Sequence, residues 1–311
     1  MTDLIQSKIT ITPSDRFAVV SHDAGGAEIL SSYVRRHSLN PIYVIEGPAR
    51  KVFERKIGSI EAVPIQQAID QTPLLLCGTS WQSDLEFDAL VLARSMGKCT
   101  ISFLDHWVNY RERFTRNGET FLPDQIWVGD STAKVMADEL FSGHSVFLED
   151  NPYFIDVLDE LAMAEDVLQK KSELSVLYIC EPISEHAILR YGNERYWGYI
   201  EEEALRYFLS NISVLGGIVK CIRIRPHPSE DLKKYNWALN EFSLPIEIGG
   251  EDALLSEIAM SNVIVGCESM AMVIGLLAKK RVVSCIPPGG RECVLPHIGI
   301  ERLQKLVSNF I

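Results

Sequence analysis

No run in this 311-residue chain approaches the roughly 20 apolar residues that span a bilayer, and its start, Met1-Thr2-Asp3-Leu4, lacks the basic and apolar regions of a secretory signal. A cytoplasmic protein that does not cross the membrane is expected. Basic residues are also few: 30 Lys and Arg against 42 Asp and Glu give a formal net charge of −12, with the cations scattered. Nucleic-acid backbones demand clustered cations, so that class of partner is excluded, whereas a local pocket for a small phosphate is not. The seven cysteines form no C-x-x-C pair and no Cys/His group at zinc spacing. They read as reduced core residues, and no metal is expected. The first strand is not followed by a G-x-G-x-x-G fingerprint, which argues against a dinucleotide, and no cofactor is required. Low-complexity tracts and solenoid-period repeats are missing too.

What the chain has is alternation. Short apolar or β-branched runs are separated by helical patterns, the signature of parallel sheets covered by helices on both faces. Strands are expected near residues 17–21, 42–46, 74–77, 100–104, 125–128 and 145–148, then near 175–180, 218–225, 262–266 and 282–286. Helices are expected near Tyr199–Leu209 and Ala253–Met260, and over Ile300–Ile311 from the spacing of Leu303, Leu306 and Val307. The length exceeds one typical core and suits two domains of roughly 150 residues. The fold class is therefore α/β: two Rossmann-like, doubly wound parallel-sheet domains, residues 1–154 and 174–311, joined by a linker helix over 155–173 and facing a central cleft.

Ligands of open parallel sheets bind beyond the carboxyl ends of the strands, so the unusual residues just after each strand are the candidates. The first is the segment Arg223-Ile224-Arg225-Pro226-His227-Pro228, where strand alternation puts Arg223 and Arg225 on one side before two prolines stop the strand. Guanidinium forks and an imidazole suit a phosphate; two arginines bridging surface carboxylates would look the same. After the first strand, His22, Asp23, Gly25 and Gly26 offer close approach to a helix N-terminus that favours an anion, or simply a tight turn capped by Asp23. Gly78 is followed by Thr79, Ser80 and Trp81, a cluster suited to a sugar, and then by Ser83 and Glu86, which fit a capping box. Asp105 and His106 carry acid/base groups after the fourth strand, against the alternative of a hydrogen-bonded buried histidine. In the second half Glu181 follows one strand, and Glu268, Ser269 and Met270 open a helix at another, where Ser269 is either a phosphate ligand or an ordinary N-cap. The loop Pro287-Pro288-Gly289-Gly290 adds Arg291.

The His227-Pro228 motif after one strand, followed by GCESMAMVIGLLAKKRVVS over residues 266–284, resembles the donor half of GT-B-fold glycosyltransferases, including sialyltransferase-like and glycerophosphotransferase-like members that build bacterial surface polysaccharides. That resemblance implies that His227 and Ser269 contact the nucleotide phosphates, and that Asp23 activates the acceptor hydroxyl. It implies a nucleotide-activated sugar and a hydroxyl acceptor as the partners. Two positions depart from the pattern: Ile274 stands where many members carry a ribose-binding Glu, and Lys279-Lys280-Arg281 replaces a Gly-Lys-Pro. A cytidine-type donor thus stays open. The expected reaction is sugar transfer with inversion; a UDP-N-acetylglucosamine 2-epimerase type of epimerase or hydrolase, and a non-catalytic sugar or nucleotide binder, are the alternatives.

Overall fold

A computed structural model describes residues 7–80, 83–163 and 173–310. The chain separates into two compact units, Met1–Asp156 and Val157–Ile311. The first runs β1 (Phe17–Ser21), α1 (Ala24–Arg36), β2 (Ile42–Ile45), α2 (Ala49–Ile57), α3 (Ile65–Gln71), β3 (Leu74–Cys77), α4 (Leu85–Ser95), β4 (Cys99–Leu104), a small antiparallel pair β5 (Thr115–Arg116) and β6 (Glu119–Thr120), β7 (Gln125–Val128), α5 (Ser131–Leu140), β8 (Val146–Leu148) and the helix α6 (Pro152–Met163) at the border. Six of these strands form one parallel sheet in the order β2-β1-β3-β4-β7-β8.

Strands β1 and β7 are buried along their whole length, as expected when helices cover both faces of a sheet. Helix α1 turns Ala27, Leu30, Tyr33 and Val34 inward, onto a core that includes Phe17, Phe53, Phe103 and Trp127. Helix α6 begins at Pro152, earlier than Ile155, and residues 164–172 of the expected linker lie outside the described residues. Its Asp156 is buried, yet Arg35 at 2.7 Å, Arg36 at 2.6 Å and Lys56 at 3.5 Å surround it. Burial pushes that carboxyl up, but hydrogen bonds from Ser32, Arg35 and Arg36 outweigh it and hold the group below the usual carboxylate range.

The second unit contains β9 (Glu173–Ile179), α7 (Ile183–Tyr191), α8 (Glu201–Ser210), β10 (Ile218–Arg225), α9 (Trp237–Glu241), β11 (Ile246–Ile248), α10 (Leu254–Ala259), β12 (Val263–Gly266), α11 (Met270–Leu277), β13 (Arg281–Ser284), β14 (Ile300–Arg302) and α12 (Leu303–Phe310). Its sheet is parallel too, ordered β11-β10-β9-β12-β13-β14, around a core of Tyr178, Tyr199, Phe208 and Tyr235. The two strands of this sheet missed from the sequence, β11 (Ile246-Glu247-Ile248) and β14 (Ile300-Glu301-Arg302), are its edges, three residues long and without a buried residue, so neither makes an apolar run. The expected helix over Ile300–Ile311 therefore starts at Leu303, because Ile300–Arg302 extend to pair with β13.

Both units are parallel α/β sheets, as the sequence predicts. In each, chain direction across the sheet reverses beside the first strand: between β1 and β3 in the first unit, and between β9 and β12 in the second. Those two points are where an open sheet of this kind leaves a crevice at its carboxyl edge.

Candidate functional site

At the β1/β3 point of the first unit, His22 and Asp23 form a dyad. Asp23 is the N-cap of α1 by backbone geometry, but its side chain makes no cap bond; the carboxylate instead meets His22 Nδ1 at 2.8 Å. The Nε2 end of the same ring lies against Gly47, where an added Cβ would come within 2.4 Å of it and where φ is +52°. Only glycine meets both conditions. The imidazole is therefore fixed from both ends, and the second carboxylate oxygen of Asp23 has no partner among the described residues. A carboxylate held this way can accept a proton.

The two glycines after Asp23 are consumed by the fold. A Cβ on Gly25 would fall 2.2 Å from Asp105 Oδ2, and one on Gly26 would sit 3.4 Å from the Gly78 Cα, so the β1 and β3 loops touch backbone to backbone. Asp105 receives Arg113 Nη1 at 2.6 Å, and the same nitrogen donates to the Thr79 hydroxyl at 2.7 Å and its carbonyl at 3.1 Å. Asp105 is thus an ion-paired strut against the first turn of α1. Thr79 and Ser80 are buried, and Ser80 Oγ accepts the Ser83 N–H at 3.0 Å. His106 Nδ1 accepts the Trp107 N–H at 3.0 Å, while the Trp107 indole donates to Asp130 at 2.8 Å. Trp81 lies outside the described residues.

Glu86 is not half of a capping box. The N-cap of α4 is Asp84, and the Glu86 carboxylate reaches across to accept the His22 N–H at 2.7 Å. Burial pushes its carboxyl up to about 7, with the nearby Asp23 charge adding to the shift. Glu86 Oε2 and the neighbouring Ser21 Oγ are buried without partners. Sequence reading took Glu86 for half of a capping box and passed over Arg113, because the features that define them, a backbone N–H 64 residues away and a buried turn after Asn109, leave no local pattern.

In the second unit the corresponding helix N-terminus is also occupied from within. Glu181, after β9, accepts the Cys267 and Glu268 N–H groups at the entry to α11, both at 2.9 Å. Its carboxyl is pushed up to about 7, chiefly by burial and further by the Glu268 charge. Ser269 is the N-cap of α11, its Oγ accepting the Ala271 N–H at 3.2 Å, and Met270 is the first residue of the helix. Glu268 holds Arg291, whose guanidinium lies 4.5 Å from the centre of the Trp197 ring.

Arg223 and Arg225 do share a face, and each is engaged by a carboxylate: Arg223 Nε by Glu247 at 2.6 Å, and Arg225 Nη1 by the buried Glu257 at 2.5 Å. The histidine beside them is differently placed. His227 Nδ1 accepts the Ser229 N–H at 3.2 Å and lies 2.7 Å from its hydroxyl, which assigns the ring proton to Nε2 and makes that nitrogen a donor. Burial lowers its pKa; the Glu230 charge opposes this and His186, 6.5 Å away between ring centres, adds to it, and the net shift is downward, favouring the neutral ring at pH 7. A buried chain positions this loop: Glu230 accepts the His227 N–H at 2.9 Å, Lys234 at 2.7 Å and the Tyr235 hydroxyl at 2.9 Å.

No family model and no curated protein match the sequence. Solved structures do. The UDP-GlcNAc 2-epimerase from Methanocaldococcus jannaschii superposes with a TM-score of 0.62 at 10% identity, covering 95% of this chain and 91% of that one. The glycotransferase of kitacinnamycin gives 0.50 at 14% identity, covering 93% and 86%. The likeness is one of fold: two parallel-sheet domains of GT-B type. Among the described residues no helix is long and apolar enough to cross a membrane.

Proposed function

We propose that the protein transfers a glycosyl group from a nucleotide-activated sugar to a hydroxyl acceptor, in the building of a surface polysaccharide or glycoconjugate. The observation that carries this reading is the Asp23 carboxylate, withheld from helix capping, backed by His22 and left with one unpartnered oxygen. In this reading Asp23 takes the proton of the acceptor hydroxyl as the oxygen attacks the sugar carbon and the bond to phosphate breaks, inverting that carbon. The His22 Nδ1–H bond stabilises the carboxylate before the transfer and orients it.

The nucleotide belongs to the second unit in this account. His227 Nε2–H is the donor offered to the leaving phosphate, and being neutral it adds a hydrogen bond without adding charge. Arg223 and Arg225 are set aside from that role by Glu247 and Glu257. A nucleotide-sugar epimerase or hydrolase is the second reading. It is favoured by the fold likeness to the UDP-GlcNAc 2-epimerase.

A thermal-shift panel of CMP, CDP, UDP, GDP and dTDP tests the nucleotide part. A ligand at 100 times its dissociation constant adds about 2.7 kcal/mol. One nucleotide should raise the midpoint of the wild type and raise that of His227→Ala much less. A panel in which none does so removes the nucleotide from both readings.

A further inference from the structure

Glu86 is a buried acid to which the sugar-transfer reading gives no task. It is the second residue of α4 and only 3% exposed. Its carboxylate turns away from its own helix and accepts the His22 N–H at 2.7 Å, in the turn that carries the His22–Asp23 dyad. The β3–α4 segment and the β1–α1 turn are joined at that point by one carboxylate oxygen.

Helix stability alone does not account for an acid here. The exposed Asp88 already supplies a negative charge to the first turn of α4, and Asp84 before it is held by Arg116. Burial strips Glu86 of water, and among the described residues its Oε2 has no hydrogen-bond partner, nor has the Ser21 hydroxyl at the end of β1. An ionisable group is the costly choice for a bond that a neutral acceptor could also make. What a carboxylate adds is charge beside the dyad. Asp23 and His22, both in the turn after β1, act on it electrostatically, and it acts in turn on Cys77 at the end of β3. The Asp105–Arg113 pair after β4 is closed on itself. The Glu86 and Asp23 charges repel, and that repulsion is relieved when Asp23 takes up a proton.

We propose that Glu86 is a positioning residue of the transfer: through the His22 N–H it fixes the turn that carries the dyad, and its negative charge favours arrival of the acceptor proton on Asp23. The inference rests on the sugar-transfer reading of Asp23. In the step itself the acceptor O–H bond breaks and its proton goes to Asp23, while Glu86 neither gives nor takes one. Because burial pushes its carboxyl up to about 7, Glu86 is mostly protonated at pH 6 and mostly ionised at pH 8. The assistance is therefore present at pH 8 and largely absent at pH 6.

The test has one arm without substrate and one with it. In a pH titration of the ¹⁵N-labelled full chain, the His22 amide signal should move with a midpoint of about 7 in the wild type and lose that step in Glu86→Gln. The His22 Nδ1–H signal should persist in Glu86→Gln, whose amide oxygen still accepts the His22 N–H, and be lost in Glu86→Ala. Turnover is then followed on the donor that the wild type consumes with a hydroxyl acceptor, from a panel of UDP-glucose, UDP-N-acetylglucosamine, GDP-mannose and CMP-N-acetylneuraminate. Between pH 6 and pH 8 the wild-type kcat should rise about threefold or more, and Glu86→Gln should lose that rise with its donor KM within about twofold. Glu86→Ala should lower kcat about tenfold or more at both pH values. A His22 amide without the step near pH 7, a Glu86→Gln profile parallel to the wild type, or an undiminished Glu86→Ala would each overturn the inference. Asp23→Asn separates the two failures. If it is inactive while Glu86→Gln keeps the wild-type profile, the sugar-transfer reading stands and this inference alone falls. If it is as active as the wild type, or no donor of the panel is consumed with an acceptor, the reading falls and the inference with it.

Discussion

Single residues carry the pH behaviour of this fold. Glu86 and Glu181 each have a folded pKa of about 7 against an ordinary value of 4.5, with burial the main cause. Both bind a proton more tightly folded than unfolded, so their contribution to stability is complete below about pH 4.5 and is lost as pH rises through about 7. The loss is on the order of 3 kcal/mol for each group. Glu86→Gln and Glu181→Gln should therefore gain stability relative to the wild type between pH 5 and pH 8. Urea unfolding at the two pH values measures this, and a difference that does not change with pH contradicts it. Glu86 also shows where local pattern fails. Ser83 and Glu86 have the spacing of a capping box, but burial beside β1 gives the carboxylate a stronger partner in the His22 N–H.

The elements were legible in proportion to their burial and length. Strands β1, β3, β7, β10 and β12 stand out as apolar or alternating runs because their neighbours enclose them, and the short edge β8 (Val146-Phe147-Leu148) is still an apolar run, whereas β11 (Ile246-Glu247-Ile248) and β14 (Ile300-Glu301-Arg302) carry a charge at the centre and bury no residue. Helix starts were less legible, since the groups that satisfy them come from distant segments. Asp105 packs against the first turn of α1, and Glu181 occupies the entry to α11. The glycines and arginines singled out as ligand groups are thus largely engaged by carboxylates or by close backbone packing, while the His22–Asp23 and His227 arrangements are not exhausted by structure. Helix α5 gives a simpler case. Asp130 caps it through the Ala133 N–H at 2.8 Å and also accepts the Trp107 indole N–H at 2.8 Å. Asp130→Ala should cost about 1–2 kcal/mol and Asp130→Asn less, because the amide oxygen keeps the cap while the Trp107 bond on the other oxygen is lost, read from chemical denaturation; no loss in Asp130→Ala would mean that Asp130 supplies no cap.

At the scale of the whole molecule, each unit has its own six-stranded sheet and its own core. Residues 1–163 and 173–311 expressed separately should each give dispersed amide spectra and a cooperative unfolding transition; a fragment lacking both contradicts this independence.

The most direct measurement of the central claim is donor turnover, followed by chromatography of the nucleotide products across a panel of nucleotide sugars, with and without a mixture of hydroxyl acceptors. Sugar transfer predicts that one donor releases its nucleotide only when an acceptor is present. It also predicts that Asp23→Asn lowers the rate by about a hundredfold or more while the nucleotide still raises the thermal midpoint. A donor converted equally well without an acceptor, or an Asp23→Asn variant with undiminished turnover, would contradict the account.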